Sequence, residues 1–234
     1  MEIQLEFAFS EENTQIEMDG LPYHKVYNLT HYTQRYNWDC GLTCILMILE
    51  ASSKKYFLKN FEKICDSEGF GNSPWTIDLC YVLKKFNIKH VYFTKTIGVD
   101  ESYATDPYYE ELVGKDKNRI TKRFKEAESK GIALDKRTVD FGAFVRHLAH
   151  EGPIILLTNI HLLRCDICRK DKVKDFYGVV GHFVLLCGYD LFQKKVLYIN
   201  PLVKDNHTCV SSFDDMDKSR KAYGTDEDVI FLYL

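Results

Sequence analysis

The sequence predicts an α+β fold in which a helical half packs on an antiparallel sheet. Apolar residues recur at helical spacing through the first part of the chain. After Gly152-Pro153 the character changes to β-branched and aromatic runs separated by loops, and one of those loops is short enough for a hairpin. With 234 residues, 45% of them hydrophobic, the chain can bury a full core. It reads as a single domain over residues 1–234, with a helical half at about 31–150 and a sheet half at about 151–234.

The first 30 residues are polar and weakly patterned, ending in a short edge strand at Lys25 to Leu29. Asp39 to Ala51 reads as a helix, because Cys44, Ile45, Ile48 and Leu49 share one face after a polar start. Lys59 to Asp66 fits a short second helix. Ser73-Pro74 has the form of an N-cap followed by proline at the first helical position, and Trp75, Leu79, Val82 and Phe86 continue the stripe. The stretch 100–131 is highly charged. Ile120, Phe124 and Ala127 in its second half predict a surface helix. Thr138 to His150 is amphipathic and stops at Gly152-Pro153. Strands are expected at Pro153 to Asn159, Val180 to Tyr189, Lys195 to Asn200 and Val229 to Leu234.

The charges exclude some functions. A net charge of −3, with 31 basic and 34 acidic side chains interspersed, leaves no footprint for nucleic acid or an anionic membrane. The N-terminus lacks the basic start and apolar run of a secretory signal, and no apolar run approaches a membrane span. The expected location is the cytoplasm, with the nucleus also open. The eight cysteines are accordingly expected to be reduced.

Three places far apart in the chain hold what a thiol nucleophile needs. Cys40 stands at a helix start, where unpaired backbone N–H groups favour thiolate. His182 opens the strand Gly181-His182-Phe183-Val184-Leu185 and could shuttle a proton. Asn200 ends the following strand, so in a hairpin it comes near His182 and could orient the imidazole. Gln34 lies on the loop entering the cysteine helix. Its amide could join the Cys40 N–H in an oxyanion hole. The pairing predicts a Cys40 pKa well below that of a free thiol. Each residue alone could equally be structural; their order and contexts together favour a site.

These segments resemble the papain-like clan. Gln34, Asp39-Cys40-Gly41-Leu42-Thr43-Cys44, Gly181-His182 and Asn200-Pro201 are similar to the bacteriocin-processing cysteine peptidases, with Asn200 standing where those peptidases usually carry Asp. The resemblance implies a papain-like fold with a Cys-His-Asn site. A closer match covers nearly the whole chain. Tyr36 to Leu42, Trp75-Thr76-Ile77-Asp78-Leu79, Cys165-Asp166-Ile167-Cys168 and Tyr223 to Asp228 resemble the eukaryotic family named guanylyl cyclase domain-containing protein.

That family name implies conversion of GTP to cyclic GMP. Such a reaction needs carboxylates for Mg²⁺ and basic groups for the triphosphate. Asp226, Glu227 and Asp228 lie in one tight stretch and read as a charged turn, and there is no glycine-rich phosphate loop. The residues instead favour a cysteine hydrolase acting on a peptide, isopeptide or related acyl bond. Its partner would be a protein or peptide substrate, and no cofactor is called for. A catalytically silent binding module on the same scaffold is the third reading. Cys165 and Cys168 are weak candidates for a metal, half of a ligand set, since Cys209 and His207 are distant in sequence. The pair is expected to consist of loop thiols dispensable for folding.

Overall fold

Apolar side chains on both faces make the strands of the second half the centre of the molecule. In the computed structural model, residues 20–99, 107–168 and 181–234 are described. The first 19 residues, 100–106 in the charged stretch and residues 169–180 lie outside them, as does the expected strand start at Val180.

In chain order the elements are β1 (His24–Val26), α1 (Cys40–Ile48), α2 (Ala51–Lys59), α3 (Phe61–Glu68), α4 (Thr76–Lys85), β2 (Lys89–Thr94), α5 (Pro107–Glu126) and β3 (Ala133–Lys136). They continue with α6 (Phe141–His150), β4 (Ile154–Asn159), β5 (Gly181–Asp190), β6 (Lys195–Ile199), β7 (Cys209–Ser212), α7 (Phe213–Arg220) and β8 (Val229–Tyr233). The strands form one sheet in the order β3-β2-β8-β4-β5-β6-β7, and β1 pairs with β5 beyond the end of β4. All pairings are antiparallel except β2 with β3. This is the expected α+β arrangement.

Strand alternation splits the core into two layers. Ile155, Phe183, Leu185, Ile230 and Leu232 face α1, α3 and α4. Ile154, Leu156, Val184, Leu186, Val229 and Phe231 face the opposite way, onto Phe144, Val145 and Leu148 of α6 and Phe213 and Met216 of α7. Residue parity therefore decides which helix layer a strand residue meets. Phe183 meets α1 directly. A Cβ added at Gly41 would lie 2.6 Å from a Leu79 methyl and 3.0 Å from the Phe183 ring, so glycine there lets α1 seat against β5 and α4.

Several expectations are corrected. The helix expected over Asp39 to Ala51 breaks where Leu49 turns extended, and the chain restarts as α2. Ser73 is not the cap of α4. Trp75 is, with its N–H held at 2.8 Å by the Asp78 carboxylate, while the Ser73 hydroxyl donates to Asp116 at 2.7 Å. Strands β2 and β3 fall inside the stretch read as helical, so strands and helices interleave along the chain. His147 of α6 is buried. It stacks on Phe231 at 4.3 Å and its Nε2 lies 2.8 Å from the Leu232 carbonyl oxygen. Among the described residues no helix is long and apolar enough to cross a membrane.

Candidate active site

The loop before α1 is shaped by a buried acid. Asp39 accepts the N–H groups of Arg35 at 3.1 Å and Tyr36 at 2.9 Å, closing a tight turn. Tyr36 and Trp38 then stack at 5.4 Å, and both lie against Phe61 of α3. The turn delivers Cys40 as the first residue of α1, where its N–H has no partner within the helix. The backbone amides of Phe183, Gly41 and Cys40 itself face the Cys40 sulfur. Cys40 is thus held against the residue that follows His182.

His182 comes from the start of β5, and its carbonyl is fixed by the Thr158 hydroxyl at 2.8 Å. Its Nε2 lies 2.9 Å from Asn200 Oδ1. The Leu202 N–H donates to the same Asn200 oxygen at 3.0 Å, which identifies that atom as the acceptor. Nε2 of His182 therefore carries the proton and donates it to Asn200, leaving Nδ1 as the basic nitrogen. The turn after β6 is tied to the α1 loop by the Gln34 N–H, which donates to the Pro201 carbonyl at 2.9 Å. The fold thus joins His182 to Asn200 side chain to side chain, Gln34 to the turn after β6 through its N–H, and Cys40 to the β5 backbone at Phe183.

Two expectations change at this site. The Gln34 side chain is turned away from an oxyanion role, because its Nε2 donates to the Tyr36 carbonyl at 2.6 Å. Its Oε1 is buried without a partner. The Cys40 thiolate is also not favoured. Burial pushes the thiol up to about 11 against the three amides that lower it. Burial likewise lowers His182 to about 4, with the Asn200 bond opposing. The site holds a neutral thiol and a neutral imidazole. The helix position of Cys40 and the pairing of His182 with Asn200 were legible in the sequence; the 7% exposure of Cys40 and the 3% of His182 were not.

A polar cavity of about 370 Å³ lies beside the end of β6, between Asn28 to His31 and Asn206 to Thr208. It flanks the site without containing Cys40, in keeping with a closed cysteine.

Comparison with known proteins gives this geometry a family. A family model described as "Guanylylate cyclase" matches residues 29–232. The chain belongs to that family. Guanylyl cyclase 1 of Arabidopsis thaliana is 30% identical over 229 residues, covering 92% of this chain and 79% of the relative. A C39-like peptidase from Bacillus anthracis superposes with a TM-score of 0.47 at 15% identity, covering 90% of this chain and 97% of that one.

In this member of the guanylylate cyclase family, the acidic segment before β8 is built into the fold. Asp228 is buried, accepting the Thr76 hydroxyl at 2.5 Å and the Tyr92 hydroxyl at 2.8 Å. Asp226 accepts the Thr96 hydroxyl at 2.8 Å, and Glu227 lies 3.5 Å from Lys95 and 3.7 Å from Arg220. Asp226 and Glu227 both adopt left-handed backbone, at φ of 50° and 52°. The charged turn expected from the sequence is present, and it locks α4 and β2 to β8.

These burials set a pH dependence of stability. His182 is lowered from 6.5 to about 4, so the unfolded chain takes up its proton first. Its contribution, roughly 3 kcal/mol, is complete above pH 6.5 and lost as pH falls to about 4. Asp228 is raised from 3.8 to about 7, by burial first and Asp226 second, so the native state takes up that proton first. Its contribution, roughly 4 kcal/mol, is complete below pH 3.8 and lost as pH rises to about 7. The two slopes oppose each other across pH 4 to 6.5. Asp228→Asn, measured by urea denaturation, is expected to gain on the native protein by several kcal/mol between pH 4 and 7.5. A difference constant over that range would show that Asp228 is already ionised when buried.

Proposed function

We propose that this member of the guanylylate cyclase family is a cysteine-nucleophile hydrolase acting on a peptide, isopeptide or related acyl bond. The observation that carries the reading is the His182 Nε2 to Asn200 Oδ1 contact of 2.9 Å, with Cys40 packed against the adjacent Phe183 amide. That contact fixes the tautomer in which Nδ1 can accept a proton.

The neutral pair favours general-base catalysis over a preformed ion pair. As Cys40 Sγ attacks the carbonyl carbon, its proton passes to His182 Nδ1 and the carbonyl π electrons move to oxygen. The amides at the start of α1 are the donors nearest the developing oxyanion. Gln34 would join them by releasing the Tyr36 carbonyl. Collapse breaks the acyl bond, with His182 returning the proton to the leaving group and Asn200 holding the imidazole in place. Water, deprotonated by His182, then hydrolyses the thioester and frees Cys40.

Cyclisation of GTP is the reading that the relative's name favours. The carboxylates it would need are committed elsewhere: Asp228 to Thr76 and Tyr92, Asp226 to Thr96, and Glu227 to Lys95 and Arg220.

Activity against fluorogenic acyl amides and against GTP with Mg²⁺ or Mn²⁺, assayed side by side, separates the two. The hydrolase reading expects amide turnover that Cys40→Ala abolishes. Its kcat/KM should rise with one acid limb near pH 4 and then hold a plateau through neutrality, because the base is the imidazole lowered to about 4. Metal-dependent cyclic GMP formation that survives Cys40→Ala would establish the cyclase instead.

A further inference from the structure

The fold brings Cys209 and His207 towards the half ligand set seen in the sequence. Cys165 and Cys168 lie on the turn that follows β4, and Cys209 opens β7 with His207 two residues before it. The three cysteine sulfurs lie within 4.8 Å of one another. Cys168 Sγ is 3.6 Å from Cys209 Sγ and 3.2 Å from His207 Nε2, and Cys209 Sγ is 3.8 Å from the same nitrogen. With metal bonds of about 2.3 Å to sulfur and about 2.0 Å to nitrogen, a tetrahedral zinc site has edges of about 3.8 Å between sulfurs and about 3.5 Å between sulfur and nitrogen. The three edges among Cys168, Cys209 and His207 are close to those dimensions, and the Cys165 sulfur, within 4.8 Å of the other two sulfurs, would need a small shift to complete the set.

We propose that Cys165, Cys168, His207 and Cys209 form a structural zinc site that ties the β4–β5 connection to the β6–β7 connection. The surroundings are those of a metal knuckle. The Cys168 N–H donates to Cys165 Sγ at 3.3 Å, a bond that supports a thiolate. The turn is anchored to β7 by the Asp166 N–H, which donates to the Val210 carbonyl at 2.8 Å. Lys195 of β6 pairs with the Asp166 carboxylate at 2.8 Å. Cys209 is buried while Cys165 and Cys168 are half-buried, which leaves a path for the ion.

Binding releases three thiol protons to solvent and leaves three thiolates and a neutral imidazole around Zn²⁺, a net charge of −1. No redox change is involved. Zinc is favoured over hard cations such as Mg²⁺ because the donors are thiolates and imidazole, with no oxygen ligand among them. The two connections it joins begin and end beside His182 and Asn200. The site nevertheless stands on its own ligands, whatever reaction Cys40 performs. A structural zinc here would make Cys165 and Cys168 necessary for stability rather than dispensable, through partners that stand 39 and 41 residues from Cys168 in sequence.

The test uses the full chain, purified under reducing conditions, with metal content measured directly and zinc then exchanged for Co²⁺. About one zinc per chain is expected, with the intense visible and charge-transfer absorption of tetrahedral thiolate-bound cobalt. Chelation should lower the thermal midpoint by about 5 °C or more. His207→Cys should keep the metal and shift the cobalt spectrum towards four sulfurs. Cys168→Ser should weaken binding at least about tenfold. If that variant does not fold, the cobalt spectrum and stoichiometry of the native chain decide. Less than about a tenth of an equivalent of zinc, with only weak octahedral cobalt absorption, would overturn the proposal. So would a Cys168–Cys209 disulfide in the freshly purified protein.

Discussion

Asp78→Ala is expected to cost roughly 3–5 kcal/mol of stability, a large part of what a domain of this size has. Asp78 is buried at the start of α4 and receives both Arg119 and Arg123 from α5, Arg123 at 3.1 Å. Arg119 also pairs with Asp116 at 3.0 Å, and Arg123 with Glu68 at 3.1 Å. Burial drives the Asp78 carboxyl up while the two guanidiniums oppose it, and the same contacts raise Arg119. Since the cation is stabilised by the contact, the charged network is the state the fold keeps. Removing its central anion leaves two guanidiniums, 18% and 11% exposed, with Asp116 and Glu68 as their remaining carboxylate partners. It also frees the Trp75 N–H that Asp78 caps. Urea denaturation should show the loss, and replacing Asp78 and Arg119 together by leucine and methionine should recover part of it. A single-variant cost under 1 kcal/mol would mean that solvent reaches the network.

Alanine at Cys40 or at His182 is expected to lower acyl-transfer turnover by at least about a thousandfold, the two losses not adding in the double variant. On the hydrolase reading the nucleophile and its base act as one unit, so removing either removes the proton transfer. Asn200→Ala should cost less, because it frees the imidazole to choose the other tautomer without deleting the base. Gln34→Ala should cost least, since its amide starts out bonded to Tyr36. An Asn200→Ala loss as large as that of His182→Ala would mean that the tautomer alone controls the site.

Much of this was legible in the sequence where short-range chemistry decides. The start of α1, the strand bearing His182, the hairpin that brings Asn200 back and the acidic turn before β8 all carry local signals. What was missed depends on distant partners. Lys89 to Thr94 is a strand because β8 and β3 flank it, and its residues alone could as well continue a helix-rich region. Ala133–Lys136 is polar, and its pairing with β2 is parallel, which no turn signal announces. The polar helix α7 is set by its cap, the Ser212 side chain accepting the Asp215 N–H. At the candidate site, the approach of His182 to Asn200 was legible and electrostatics was not. A helix start and a histidine predict a thiolate, but the burial of Cys40 reverses that sign. The cysteine-histidine cluster could have been found from His207-x-Cys209 beside Cys165-x-x-Cys168, had the contact of that turn with β7 been known.

Acylation of Cys40 tests the central claim most directly. Native protein mixed with an activated ester such as 4-nitrophenyl acetate should release about one equivalent of nitrophenol in a burst, and peptide mapping should place the acyl group on Cys40 as a thioester. The account predicts that the burst vanishes in Cys40→Ala and slows at least about a hundredfold in His182→Ala, with its rate constant at pH 5.5 close to that at pH 7.5. Acyl groups found on other cysteines at rates indifferent to His182, with Cys40 unmodified, would contradict it.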